Sequence, residues 1–175
     1  MNKSFCCIVL LAAILSSCGG KKAKPDPLYS DYYYDDYSTN VVEVPFKKLS
    51  GVRTIQVKIN DCAEFPMIFD TGCSGMLISL QEAMSLVKSG TLSQNDILGE
   101  QQSAIASGDI IENTVFKLKE VSLTDTDGKS HTLYDVPVTV IEYPGASVLV
   151  GNIVIDQLAE YSYTIDLKKD VIVFQ

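Results

Sequence analysis

From Val41 onward the apolar residues come in short β-rich runs cut by turn residues, a rhythm that predicts an all-β domain. Val41 to Lys47 and Val52 to Ile59 read as a hairpin joined near Leu49-Ser50-Gly51. In the second run Val52, Ile55, Val57 and Ile59 largely alternate with Arg53, Gln56 and Lys58, so one face is expected to be buried and the other wet. After a turn at Asn60-Asp61, the run Phe65-Pro66-Met67-Ile68-Phe69 is almost wholly apolar, as in a strand covered on both faces. It leads straight into Asp70.

One helix is well signalled. Ser79 can cap it, Glu82 three residues later completes a capping box, Ala83, Met84, Leu86 and Val87 supply an apolar stripe, and Gly90 can end it. A shorter turn is expected from Ser93. Strand patterns then resume through Ser103 to Ala106, Ile110 to Leu123, Thr132 to Ile141, Ser147 to Val150 and Tyr163 to Phe174. The turns between them are Ser107-Gly108-Asp109, Asp125-Thr126-Asp127-Gly128 and Tyr143-Pro144-Gly145.

The amino terminus follows a different pattern. After Met1-Asn2-Lys3-Ser4 a mostly apolar run from Phe5 to Leu15 ends at Ser16-Ser17-Cys18, the layout of a secretory signal. The apolar run is shorter than the roughly 20 residues needed to span a bilayer. Leu15-Ser16-Ser17-Cys18 resembles the lipobox of bacterial lipoproteins, which implies removal of residues 1–17 and acylation of Cys18. From Gly19 to about Asn40 the chain is rich in Lys, Pro, Asp, Ser and Tyr, with no sustained period, and reads as a tether. A flexible chain of that length reaches about 25 Å. The expected organisation is a signal over 1–17, acylated Cys18 and tether over 18–40, and one folded domain over 41–175. A position in the bacterial cell envelope follows, held to a membrane by lipid and facing the periplasm.

Composition narrows the chemistry. The formal charge is −8, and −9 once Lys3 leaves with the signal, so the basic footprint that nucleic acid needs is missing. Of five cysteines, two lie in the signal and Cys18 is the expected lipid site. Cys62 and Cys73 remain, too few for a disulfide framework. The strand Phe65 to Asp70 also separates them by about 16 Å, beyond the roughly 7 Å Cα limit of a disulfide. His131 follows Gly128-Lys129-Ser130 and is expected at the surface, with no Cys or His cluster around it to hold a metal. No cofactor is implied.

The residues that carry chemistry are Asp70-Thr71-Gly72. They stand where a buried strand gives way to the small residues Cys73, Ser74 and Gly75. A rigid strand ending in a tight turn holds a carboxylate in place. The tripeptide alone also occurs as a simple Asx turn. Its context decides: an apolar strand ending in Asp-Thr-Gly, and the later apolar-apolar-Gly element Leu149-Val150-Gly151, together resemble the retropepsin-like aspartic proteases, bacterial lipoprotein members included. The likeness runs from Val41 to Gln175. It extends to Ala106-Ser107-Gly108 at the place of a flap tip, and to a closing hairpin from Tyr163 to Phe174.

That resemblance implies a retropepsin-like closed β-barrel of a single lobe, with one or two short helices, and an aspartic endopeptidase. In such proteins the later strand passes beside the Asp-bearing loop, with its Gly, here Gly151, allowing close approach. Asp70 would be the catalytic carboxylate, Gly72 would permit the turn, and Thr71 would brace a dimer. Ala106, Ser107 and Gly108 would form a flap over a peptide substrate. Two carboxylates are needed and only one Asp-Thr-Gly is present, so a homodimer is expected to supply the second. Asp156, Asp166 and Asp170 stand outside any Asp-Thr/Ser-Gly setting. The rival reading is a catalytically inactive lipoprotein of the same fold that binds peptide or protein, since fold alone does not determine function.

Overall fold

The computed structural model describes residues 41–104, 108–143 and 145–175. The expected signal, Cys18 and the tether therefore lie outside the described residues, as do Ala106 and Ser107. The strands are β1 (Val42–Leu49), β2 (Val52–Ile59), β3 (Ala63–Phe69), β4 (Met76–Ser79), β5 (Ile97–Ala104), β6 (Ile110–Thr124), β7 (Ser130–Ile141), β8 (Leu149–Val150), β9 (Tyr163–Asp166) and β10 (Val171–Phe174). They join in the order β5-β6-β7-β4-β8-β3-β2-β1-β10-β9. A further pairing of β2 with β6, Lys58 opposite Ser122 and Ile59 opposite Val121, closes β2, β3, β8, β4, β7 and β6 into a ring. This is the expected all-β barrel. It carries two helices, α1 (Leu80–Lys88) and α2 (Asn152–Leu158).

The first hairpin shows how local sequence sets register. Ser50 and Gly51 both adopt positive φ (50° and 86°), the conformation of the tight two-residue turn that matches strand twist. Leu49 thus pairs with Val52, and Phe46 with Ile55. The alternation along β2 then turns Ile55, Val57 and Ile59 into the core, where they meet Val44, Phe46, Leu118, Val121 and Leu123. Burial of such side chains contributes about 1.5–3 kcal/mol each. Asn60 follows at φ 50°. Its buried amide donates to the Thr91 carbonyl (2.8 Å) and accepts the Lys119 amide (2.8 Å), tying the turn after β2 to the end of the α1 segment and to β6.

The capping box of α1 forms as the sequence predicts: Gln81 N donates to Ser79 Oγ (3.2 Å), and the Glu82 carboxylate accepts from Ser79 N (3.1 Å) and from the Ser79 hydroxyl. The apolar stripe is narrower than expected. Ala83 and Leu86 are buried, whereas Met84 and Val87 stay exposed (49% and 53%). A nine-residue helix lying on the barrel covers only one narrow line of contact. Two strand boundaries also shift. β5 begins at Ile97 rather than Ser103, and the predicted Ser147–Val150 strand shrinks to Leu149–Val150. β3 is not covered on both faces throughout, since Pro66 and Glu64 are exposed and only Met67 and Phe69 are fully buried.

His131 differs from its expected surface position. It is half-buried, and its Nε2 lies 2.7 Å from Asp125 Oδ2. The other Asp125 oxygen accepts the amides of Asp127 (3.0 Å) and Lys129 (2.8 Å), so one carboxylate organises the whole β6–β7 turn. Thr126 N then donates to the Glu43 carbonyl of β1 (2.9 Å). The His131 hydrogen bond is the largest cause holding the Asp125 carboxyl below its usual value, and the turn amides add to it. A depressed folded pKa contributes stability above the unfolded value, near 3.9 for Asp, and loses it as pH falls through the folded one. The urea midpoint of the normal chain is therefore expected to exceed that of Asp125→Asn above about pH 4, with the gap closing on acidification. A gap independent of pH would show that the carboxylate charge has no part in holding the turn.

Candidate active site

β3 ends at Phe69, and the geometry beyond it is set by a two-residue strand threaded beside it. β8 runs parallel to β3, with Ile68 opposite Leu149 and Phe69 opposite Val150, and antiparallel to β4, with Met76 opposite Val150. Ile68 N donates to the Val148 carbonyl (2.9 Å) and Asp70 N to the Val150 carbonyl (3.0 Å). β8 therefore lies between the two strands that flank the Asp70 turn, and the backbone of Asp70 is the last rung on one side of it.

The turn closes on itself. Cys73 N donates to the Asp70 carbonyl (3.2 Å), and Gly72 N donates to Asp70 Oδ1 (2.9 Å), which orients the carboxylate. A Cβ at Gly72 would lie 3.2 Å from that same oxygen, so glycine here leaves room for the carboxylate. Asp70 is half-buried, while Thr71 and Gly72 face solvent. The Thr71 hydroxyl has no hydrogen-bond partner among the described residues, and its carbonyl accepts from Asn152 Nδ2 (3.3 Å).

Gly151 follows β8 directly and is buried against the turn. A Cβ there would sit 2.1 Å from the Gly75 carbonyl oxygen and 2.3 Å from that of Cys73. The next two amides use this closeness: Asn152 N donates to the Cys73 carbonyl (2.8 Å) and Ile153 N to that of Ser74 (3.0 Å). The start of α2 is thereby docked on the Asp70 turn, with turn carbonyls and helix amides satisfying one another. Burial pushes the Cys73 thiol up, and the nearby Asp70 charge adds to this; its Sγ rests 3.4 Å from the Gly75 carbonyl. Cys62 and Cys73 are both free thiols.

The sequence model of the family described as aspartyl protease matches residues 55–156, a span that holds most of β2, then β3, the Asp70 turn, the β5–β6 hairpin, β8 and Gly151. The chain belongs to the aspartyl protease family. A retropepsin-like aspartic protease from Rickettsia conorii is similar in fold, at 15% sequence identity and a TM-score of 0.50, over 80% of this chain and 94% of that one. No curated protein sequence matches the chain.

In this member of the aspartyl protease family, Asp70, Thr71, Gly72 and Gly151 thus lie within one hydrogen-bonded unit. Gly108, at φ 89°, lies near the tip of the β5–β6 hairpin, whose last pair is Ala104 with Ile110. The other carboxylates considered from sequence are engaged elsewhere or face solvent. Asp166 accepts the amides of Lys168 and Lys169, Asp170 pairs with Lys48 (2.9 Å), and Asp156 is exposed on α2. Among the described residues no three His, Cys, Asp or Glu side chains cluster as metal ligands. Sequence reading missed Asn152, whose side chain holds the Thr71 carbonyl; its place directly after Leu149-Val150-Gly151 was the available signal.

Proposed function

We propose that the chain is an aspartic endopeptidase in which Asp70 from each of two copies forms one catalytic dyad. The observation that carries this reading is the Asp70 carboxylate, oriented by the Gly72 amide in a turn that Gly151 locks to the barrel. Two such carboxylates brought together share one proton, because like charges so close do not both ionise. The ionised member then takes a proton from a water that attacks the peptide carbonyl, and the protonated member gives one to the leaving amine. The titration belongs to the pair. Ala106, Ser107 and Gly108 serve as the flap tip that covers bound peptide and excludes water.

The terminal strands support a twofold partner. β9 is an edge of the sheet, and its Tyr163 ring packs edge-on against Phe69 at 5.6 Å, with Phe174 completing the cluster at 6.3 Å from Phe69. Phe69 immediately precedes Asp70. Antiparallel pairing of β9 with its own copy is a twofold contact beside the candidate turn, and the solvent-facing Thr71 hydroxyls would brace it. Mixing Asp70→Asn chains with an equal amount of normal chains is expected to lower activity per normal chain to about one half, as random pairing into symmetric dimers requires. Activity per normal chain that ignores the added variant would exclude the shared dyad.

The same reading places the enzyme in the bacterial cell envelope, acylated at Cys18 after removal of residues 1–17, with 18–40 as its tether and 41–175 as its protease domain. Acylation by several chains holds firmly, at about 0.8 kcal/mol per buried methylene. Cys18→Ser is expected to move the chain from the membrane fraction to the soluble one; membrane retention by that variant would refute the anchor.

A further inference from the structure

The Asp70 turn is a β-turn with Thr71 and Gly72 at its centre, closed by the hydrogen bond from Cys73 N to the Asp70 carbonyl. The peptide unit between its two central residues carries both the Thr71 carbonyl and the Gly72 amide. At one end of that plane Gly72 N donates to Asp70 Oδ1 (2.9 Å). At the other end the Thr71 carbonyl accepts from Asn152 Nδ2 (3.3 Å). Thr71 and Gly72 are both exposed, so packing does little to hold the plane. The carbonyls of Asp70, Cys73 and Ser74 accept backbone amides, whereas that of Thr71 is held by a side chain from another element.

A β-turn of this kind has two states. Types I and II share their ends and differ by reversal of the central peptide, and type II needs a positive φ at the third residue, which glycine adopts freely. Gly72 does not take a positive φ, and in this state its N–H faces the Asp70 carboxylate. The glycine that leaves room for the carboxylate thus also makes the reversal cheap. A reversed peptide would turn its amide away from Asp70 and its carbonyl oxygen toward the carboxylate. Asn152 opposes this. Its backbone amide is fixed on the Cys73 carbonyl (2.8 Å), so its side chain reaches the Thr71 carbonyl from an anchored point.

We infer that Asn152 is a positioning residue: it holds the Thr71–Gly72 peptide in the orientation that keeps the Gly72 amide on the Asp70 carboxylate. This deepens the peptidase reading and rests on it, since general acid–base chemistry requires a carboxylate held in place. Asn152 acts on Asp70 through one peptide unit, and its own amide need not meet the substrate. A hydrogen bond at the carbonyl also polarises the N–H of the same peptide, so the donor at Asp70 is strengthened as well as aimed.

The test compares Asn152→Leu and Asn152→Asp with the normal full chain on a cleavable peptide. Both variants lose the Nδ2 donor at nearly unchanged size and keep the backbone amide that serves Cys73. The neutral leucine separates loss of the donor from added charge. An aspartate in a first helical turn favours the helix, so that variant keeps the test alive if the other fails to fold. In each, kcat is expected to fall about 10–100-fold with KM nearly unchanged, the pattern of a group that serves the reaction and not substrate binding. Amide exchange followed by NMR is expected to quicken at Gly72, while Ile153, which donates to the Ser74 carbonyl (3.0 Å), keeps its protection. Unchanged kcat, a change confined to KM, or Gly72 exchange equal to that of the normal chain overturns the positioning role and leaves the peptidase reading intact. Exchange quickened at Ile153 as much as at Gly72 overturns it too, because Asn152 would then only dock α2. If the normal chain cleaves no peptide the peptidase reading falls, and exchange quickened at Gly72 alone in the variants still shows Asn152 holding the turn.

Discussion

Asp70→Asn is expected to lower peptide cleavage by at least about 10⁴-fold while leaving the fold and its melting temperature nearly unchanged. The amide is close to isosteric with the carboxylate, and its side-chain oxygen can still accept from the Gly72 amide, now at 2.9 Å from Oδ1. Local structure therefore survives. What is lost is the charge and the proton shared across the dyad. General acid–base help from one positioned group is worth about 10²–10⁴, and in a symmetric dimer the substitution removes both the base and the acid. The measurement is kcat/KM on a cleavable peptide beside thermal unfolding by circular dichroism. Cleavage retained by a folded Asp70→Asn chain would move the chemistry to another residue and end the proposal. Loss of fold together with activity would instead mean that the carboxylate charge holds the turn, which the exposed neighbours Thr71 and Gly72 do not suggest.

Parts of this site are legible in the sequence because they are local. An apolar run ending in Asp70, small residues beyond it, and the capping box from Ser79 to Glu82 each depend on residues close together in the chain, where pattern and hydrogen-bonding geometry coincide. Other parts are not, and the reasons differ. β5 runs as Ile97-Leu98-Gly99-Glu100-Gln101-Gln102-Ser103-Ala104 and is exposed along nearly all its length. A strand wet on both faces has no alternation to detect, so only its tail was anticipated. Met84 and Val87 look like core by their spacing, yet how far a short helix beds down is decided by the surface beneath it. His131 and Asp125 lie six residues apart, but their bond depends on the β6–β7 pairing that sets Leu123 opposite His131.

The family match and the hydrogen bonds meet at Gly151, and there a single methyl group has the largest structural consequence. The backbone at Gly151 has φ −106° and ψ −167°, an ordinary extended conformation open to any residue. Glycine is therefore required for space, not for its dihedral freedom. A Cβ 2.1 Å from one carbonyl oxygen and 2.3 Å from another has no flexible neighbour to displace, since both oxygens belong to the backbone of the Asp70 turn. Either the turn retreats or the start of α2 does. Both movements stretch the hydrogen bonds from Asn152 and Ile153 to Cys73 and Ser74. Overpacking a close-packed site costs about 1–3 kcal/mol even where side chains yield, so Gly151→Ala is expected to destabilise the chain by about 3 kcal/mol or more and to remove cleavage. Urea unfolding measures the first effect and peptide hydrolysis the second. The pairing with Asp70→Asn separates the two roles: one variant keeps the fold and loses the chemistry, the other loses both. A Gly151→Ala chain as stable as the normal one would mean that α2 is not docked on the Asp70 turn, and the support this turn draws from β8 would have to be reassigned.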